Sequence, residues 1–235
     1  LTALGAAVFG LGEYDQAREY FEWGLDIARE RGDRRRELTT LKRIGTVAMY
    51  VSRYDRARAY TEQALDVARE LGDPRKEAEL LGARGLLAER VGDYDEAESF
   101  LQQALDLAAD IGNSLSVATR HNNLGLVAIR RGAHETAREH FGAGLDVARE
   151  HGHRRHEANA LNGLGHVAAM HGRYEQARTR HEEALAITQE IGNRRRIADS
   201  QNKLGRVAHH LGEDNRARDR FEDARELAIE LDHPR

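Results

Sequence analysis

Glycine stands at Gly5, Gly45, Gly85, Gly125, Gly165 and Gly205, a 40-residue period without a slip. Twelve residues after each comes an alanine: Ala17, Ala57, Ala97, Ala137, Ala177 and Ala217. Between them lies a turn segment, such as Gly92-Asp93-Tyr94-Asp95 or Gly172-Arg173-Tyr174-Glu175. A chain of 235 residues would suit one or two ordinary globular domains. The register decides instead for a repeat array, in which each unit buries its apolar stripe only against its neighbours.

Each unit reads as two helices. Tyr94, Ala97, Leu101, Ala104, Leu105, Ala108 and Ile111 follow the three- and four-residue spacing of one helical face. Gly112 then suits the left-handed turn that ends a helix, as do Gly32, Gly72, Gly152 and Gly192. Asp33, Asp73, Asn113 or Asn193 follows to cap the next helix, and Pro74 falls where a missing amide hydrogen costs nothing. The expected fold is all-α: one right-handed α-solenoid over 1–235, with six helix-turn-helix units of about 1–33, 34–73, 74–113, 114–153, 154–193 and 194–235.

The residues resemble the tetratricopeptide repeat family. Leu124-Gly125, Ala128, Ala137, Phe141 and Gly144 match that family's signature in order and spacing, and Leu204-Gly205, Ala208, Ala217, Phe221 and Ala224 repeat it. The period exceeds the family's usual 34 residues by about six, and the proline usual at the end of the unit is missing. Longer repeats with Asn122-Asn123-Leu124-Gly125 in the first helix look like those of kinesin light chains, the spindle-orientation protein LGN, and the sensor arrays of prokaryotic STAND NTPases and related transcription regulators.

That resemblance implies a groove lined by the first helices. Its facing positions would include Lys42, Leu86, Asn122, Leu126, Ile129, Asn159, Asn162, His166, Asn202 and Arg206. Asn122, Asn162 and Asn202 share one register position. An amide offers both a donor and an acceptor to an extended peptide backbone; alternatively, these asparagines bond to neighbouring helices or face water. Leu86, Leu126 and Ile129 would select side chains, while Arg206 or Lys42 could meet a carboxylate.

Other features point elsewhere. Arg34-Arg35-Arg36, Arg154-Arg155 and Arg194-Arg195-Arg196 suggest a basic rim. Acidic residues four places earlier, such as Glu30, Glu150 and Glu190, suggest local pairing instead, and no aromatics interleave for base stacking. All twelve histidines follow residue 120. With no HExxH arrangement, they read as solvated surface groups rather than a metal site. Trp23 and Phe21 read as packing residues.

The sequence shows no nucleophile elbow, phosphate loop or cysteine, so an enzyme, a cofactor and a metal are all unexpected. A net charge of −4 favours no nucleic acid, and no apolar run reaches the roughly 20 residues that span a bilayer. A cytoplasmic location is expected. Leu1 already lies in a helical pattern, so the chain reads as a segment of a longer protein. The expected function is a protein- or peptide-binding scaffold, the sensor or regulatory array of a signalling protein. The alternative is a structural spacer or self-assembly module, associating with itself or with other domains through uncapped ends at Leu1 and at Phe221, Leu227 and Leu231.

Overall fold

The structure is a computed structural model describing residues 1–232, with side chains through Glu230. Leu231, expected on an uncovered face, lies outside the described side chains. The described residues form twelve helices and no strand, in two compact units, residues 1–113 and 114–235.

The first unit holds α1 (Thr2–Gly10), α2 (Tyr14–Glu30), α3 (Arg34–Tyr50), α4 (Tyr54–Glu70), α5 (Pro74–Val91) and α6 (Tyr94–Asp110). The second holds α7 (Ser114–Arg130), α8 (His134–Glu150), α9 (Arg154–Met170), α10 (Tyr174–Ile191), α11 (Arg194–His210) and α12 (Asp214–Asp232). Within each, consecutive helices pack in antiparallel pairs, and each pair packs on the next.

The glycine period has a steric cause. A methyl added at Gly125 would stand 2.7 Å from Phe141 Cε1, and one at Gly85 would stand 2.6 Å from Leu101 Cγ. In five of the six pairs the backbone of the first helix thus lies directly on a large side chain of the second; at Gly45 the neighbour is the smaller Thr61, at 3.2 Å. Phe141 also meets Gly163 of the next pair, so one ring fills the space between three helices. Its complete burial contributes about 2–3 kcal/mol relative to exposure. Phe21 does the same against Gly5. Trp23, expected to pack, is instead 58% exposed, because two residues beyond Phe21 a helical side chain has rotated off the buried stripe.

Helix ends follow the expected chemistry. Gly32 takes φ +63°, and Asp33 N–H donates back to Ala28 O at 2.8 Å. The Asp33, Asp73 and Asn193 side chains accept from the amides of Arg36, Lys76 and Arg196 at 3.0, 3.0 and 3.2 Å. Ser52 occupies the glycine position of the turn after α3 at φ +57°, a conformation that costs a side-chain-bearing residue roughly 1 kcal/mol.

The first arginine of each run, Arg34, Arg154 or Arg194, is paired, but not with the residue four places earlier. Glu37 is only 5% exposed. It accepts from Arg29 Nε of the preceding pair at 3.0 Å and from Arg34. Arg34 continues to Glu70 at the far end of its own pair, and Arg29 donates to Gln63 Oε1 at 2.8 Å. Arg149, Arg154, Glu157, Glu183 and Glu190 repeat this arrangement in the second unit. Arg194 pairs with Glu230 at 3.0 Å. Antiparallel packing brings the start of a first helix beside the end of its partner, so Arg34 meets Glu70 rather than Glu30.

Candidate functional site

In the second unit, α7, α9 and α11 are the first helices of successive pairs, and α7 touches α9 directly. The three asparagines that share a register position meet three different environments. Asn122, 6% exposed, donates from Nδ2 to His156 O on α9 at 3.3 Å, and no described group partners its Oδ1. Asn162 is half-buried, its Oδ1 2.9 Å from His181 Nδ1. Asn202 is exposed. Asn159, one helical turn before Asn162, accepts from Arg196 on α11. Asn122, Asn159 and Asn162 therefore tie helices together, and Asn202 faces solvent.

The position one residue after each glycine behaves differently. Leu126, His166 and Arg206 are all exposed on α7, α9 and α11, Leu126 at 52%. Ile129 is half-buried against Ala128, Ala137, Phe141 and Val167. In the first unit Leu86 is exposed at the matching position. Lys42 is bound to Glu79, which also pairs with Lys76 at 3.0 Å. Burial opposes the Glu79 charge, but the two lysines hold its carboxyl below the usual carboxylate range.

His181 replaces, in its repeat, the Phe of Phe21, Phe141 and Phe221. A methyl at Gly165 would lie 2.7 Å from its Cε1. At 3% exposure, desolvation pushes the imidazole down to about 4, with Lys203 and His166 adding to the effect. The ring is neutral near pH 7, and the contact with Asn162 Oδ1 places its hydrogen on Nδ1. The expectation that the histidines are surface groups therefore fails here. It also fails in part at His121, whose Nδ1 lies 3.2 Å from His140 Nδ1 and whose pKa is lowered by burial and by His140. Among the described residues, no three His, Cys, Asp or Glu side chains converge as a metal site.

Two cavities flank α9. The larger, about 500 Å³, opens between α8, α9 and α10. Four of its charged groups are paired to each other, Arg138 with Glu135 at 2.8 Å and Arg180 with Glu183 at 3.2 Å. The smaller, about 220 Å³, lies between α9, α10 and α11 and joins His166, Tyr174, His181, Lys203, Arg206 and His210. No acidic residue lines it. The Tyr174 and His210 rings stack at 4.7 Å and 7° along one side. Partial burial, then Arg206 and Lys203, lower the His166 pKa. Sequence reasoning found His166 and Arg206 but missed Lys203, Tyr174, His181 and His210. Lys203 follows Asn202 directly and could have been found by extending the groove positions by one residue. The Tyr174–His210 stack carries no signal in the spacing.

No helix among the described residues is long and apolar enough to cross a membrane. The family model for the tetratricopeptide repeat matches residues 36–110, 76–150, 116–190 and 156–230. No curated protein matches the sequence. Among solved structures, BtubC (BKLC) from P. vanneervenii aligns at TM-score 0.81 and 21% identity, over 94% of this chain and 93% of that one. A STAND protein with a tetratricopeptide repeat sensor from Pyrococcus horikoshii aligns at TM-score 0.77 and 18% identity. That match covers 97% of this chain but 35% of the other, so this chain spans about a third of that protein's length. A Rap protein, solved complexed with Competence and Sporulation Factor, aligns at 0.73 and 17%, over 99% and 69% of the two chains.

Proposed function

This chain belongs to the tetratricopeptide repeat family, and we propose that it binds protein or peptide ligands on the exposed faces of its first helices. The supporting observation is the row Leu126, His166 and Arg206. These three side chains recur at one register position and stand exposed, while Phe141 and His181 beneath them fill the core. An apolar, a titratable and a cationic group in one row suit an extended peptide with pockets for alternate side chains. In the second unit the proposed site comprises Asn122, Leu126, Ile129, Asn159, Asn162, His166, Asn202 and Arg206. Lys42 and Leu86 hold the matching positions in the first unit. Asn122 and Asn159 act in it by holding α7, α9 and α11 in register.

The finer reading is a sensor or regulatory array of a larger signalling protein, such as a STAND NTPase or a transcription regulator. The similarity to the repeat-bearing STAND protein along 97% of this chain supports it. An NTPase or DNA-binding domain in the same reading frame would support this role, and a frame holding repeats alone would count against it.

The binding reading is tested by panning a random displayed peptide library against the purified chain. Selected peptides should bind wild type and lose binding to a Leu126→Ser, His166→Ala, Asn202→Ala variant that melts like wild type. Selected peptides that bind both proteins equally would move the site off this face.

A further inference from the structure

We propose that the larger cavity, walled by the second helices α8 and α10, is a docking pocket for an aromatic side chain of a partner protein. It lies apart from the first-helix row Leu126, His166 and Arg206 and does not depend on that reading. At about 100° per residue, its lining residues Leu164, Val167, Ala168 and His171 stand roughly 100–160° around α9 from His166.

One register position governs this space. In the first unit it holds Tyr20, Tyr60 and Phe100, and all three rings pack against the buried core. In the second unit it holds His140, Arg180 and Arg220. Arg180 pairs with Glu183 on its own helix at 3.2 Å, and a cavity lies where the first unit places a ring. Leu164 on the cavity floor is partly exposed, whereas Ile44, Leu124 and Leu204 at the same register are buried. The matching cavity one repeat on, about 330 Å³, is different: Arg178 bridges it to Glu213 at 2.9 Å, and Gln201 holds Arg220 at 2.8 Å. No such bridge forms beside Leu164, because Arg173 stands in the place of Glu213 and carries the same charge as Arg138. Arg138 pairs instead with Glu135 on its own helix, at 2.8 Å.

The chemistry of the pocket selects its occupant. Both of its glutamates are already paired with Arg138 and Arg180, so the walls favour a neutral group. Leu164, Val167 and Ala168 make the floor apolar. The Arg180 guanidinium, lining the same cavity, has a planar face that suits a π-system. The protein uses that combination internally, where Arg84 lies over the Phe100 ring at 4.7 Å. Arg84 and Phe100 hold the register positions of Leu164 and Arg180, so in the later repeat the cation has changed helices and no ring accompanies it. An incoming phenyl or phenol ring supplies the missing partner, covers Leu164, and fits within about 500 Å³.

The first test titrates p-cresol, the side chain of tyrosine, into the purified chain and follows the Leu164 and Val167 methyl resonances. Saturable shifts with a midpoint of about 1 mM are expected. Arg180→Tyr, which restores the first unit's own ring, should abolish them. Arg180→Ala leaves the space open and should weaken binding only about two- to fivefold. The non-aromatic 4-methylcyclohexanol should bind about threefold more weakly than p-cresol. The second test pans a random library displayed on a helical scaffold, with depletion on Arg180→Tyr. One position should become Phe or Tyr, its change to Ala should weaken binding about tenfold, and excess p-cresol should compete. Shifts that persist in Arg180→Tyr, equal binding of the two small probes, or selection without an aromatic would overturn the proposal. So would binders that p-cresol does not displace, or no enrichment at all. Loss in Arg180→Ala as complete as in Arg180→Tyr would assign binding to the guanidinium and overturn the role of the open space. Melting of each variant checks its fold; if Arg180→Tyr does not fold, the probe comparison and the competition decide. Failure here leaves the first-helix reading untouched, because its variant at residues 126, 166 and 202 changes no lining residue of this pocket.

Discussion

His181 lies directly against Gly165, so close that a methyl on the glycine would stand 2.7 Å from the ring's Cε1. Phe141 lies against Gly125 in the same way. A titratable ring thus occupies a place where the neighbouring repeat holds a phenyl.

Acid should act on the fold through that ring. In the unfolded chain His181 takes up a proton near pH 6.5, but in the folded protein only near 4. The unfolded state therefore binds more protons between these values, and stability falls as pH drops through that window. The full difference is about 3 kcal/mol. His181→Phe should retain stability at pH 4.5 that wild type loses, as read by urea unfolding at pH 7.0, 5.5 and 4.5. His121, His156 and His166, also lowered mainly by burial, leave the variant a weaker residual slope. Parallel decline of the two proteins would remove His181 as the acid-sensitive element.

The glycine contacts predict their own substitutions. Gly125→Ala must displace Phe141 from a fully packed position and should cost about 1–3 kcal/mol. Gly142, with open space around it, should gain about 1 kcal/mol as alanine. Similar denaturation midpoints for both variants would contradict the packing argument.

The buried carboxylate is the centre of the arginine arrangement. Glu157→Ala removes the shared partner of Arg149 and Arg154 and should cost about 1–3 kcal/mol. Glu190→Ala breaks one exposed pair and should cost under about 1 kcal/mol. The order of the two midpoints is the measurement, and a larger loss for Glu190→Ala would sink it.

The asparagines should separate by role. Asn122→Ala loses its bond to His156 O and should lower stability by about 1 kcal/mol. Asn202→Ala, exposed to water, should stay within about 0.5 kcal/mol of wild type. Equal effects in thermal melts would mean that the register position, not the local partner, sets the cost.

The helix pairs were legible in the sequence because each depends on a close contact inside one repeat, such as Gly85 on Leu101. Partners from other helices were not. Glu30 precedes Arg34 by four residues, yet Arg34 meets Glu70, since antiparallel packing outweighs sequence proximity. The asparagine row looked uniform because the period is uniform, but the facing residues are His156, His181 and solvent. The histidines looked alike for the same reason, although one of them fills a phenylalanine's place. Where a repeat's surroundings vary, its register tells position but not environment.

Arg29 reaches two helices of the following pair at once, Glu37 on α3 and Gln63 on α4. A bond that spans a repeat boundary contributes nothing when either neighbour is open, so it adds to coupling rather than to the intrinsic stability of one repeat. Ionic strength weakens such bonds. Salt would therefore loosen the agreement between adjacent repeats, so that they melt less in unison.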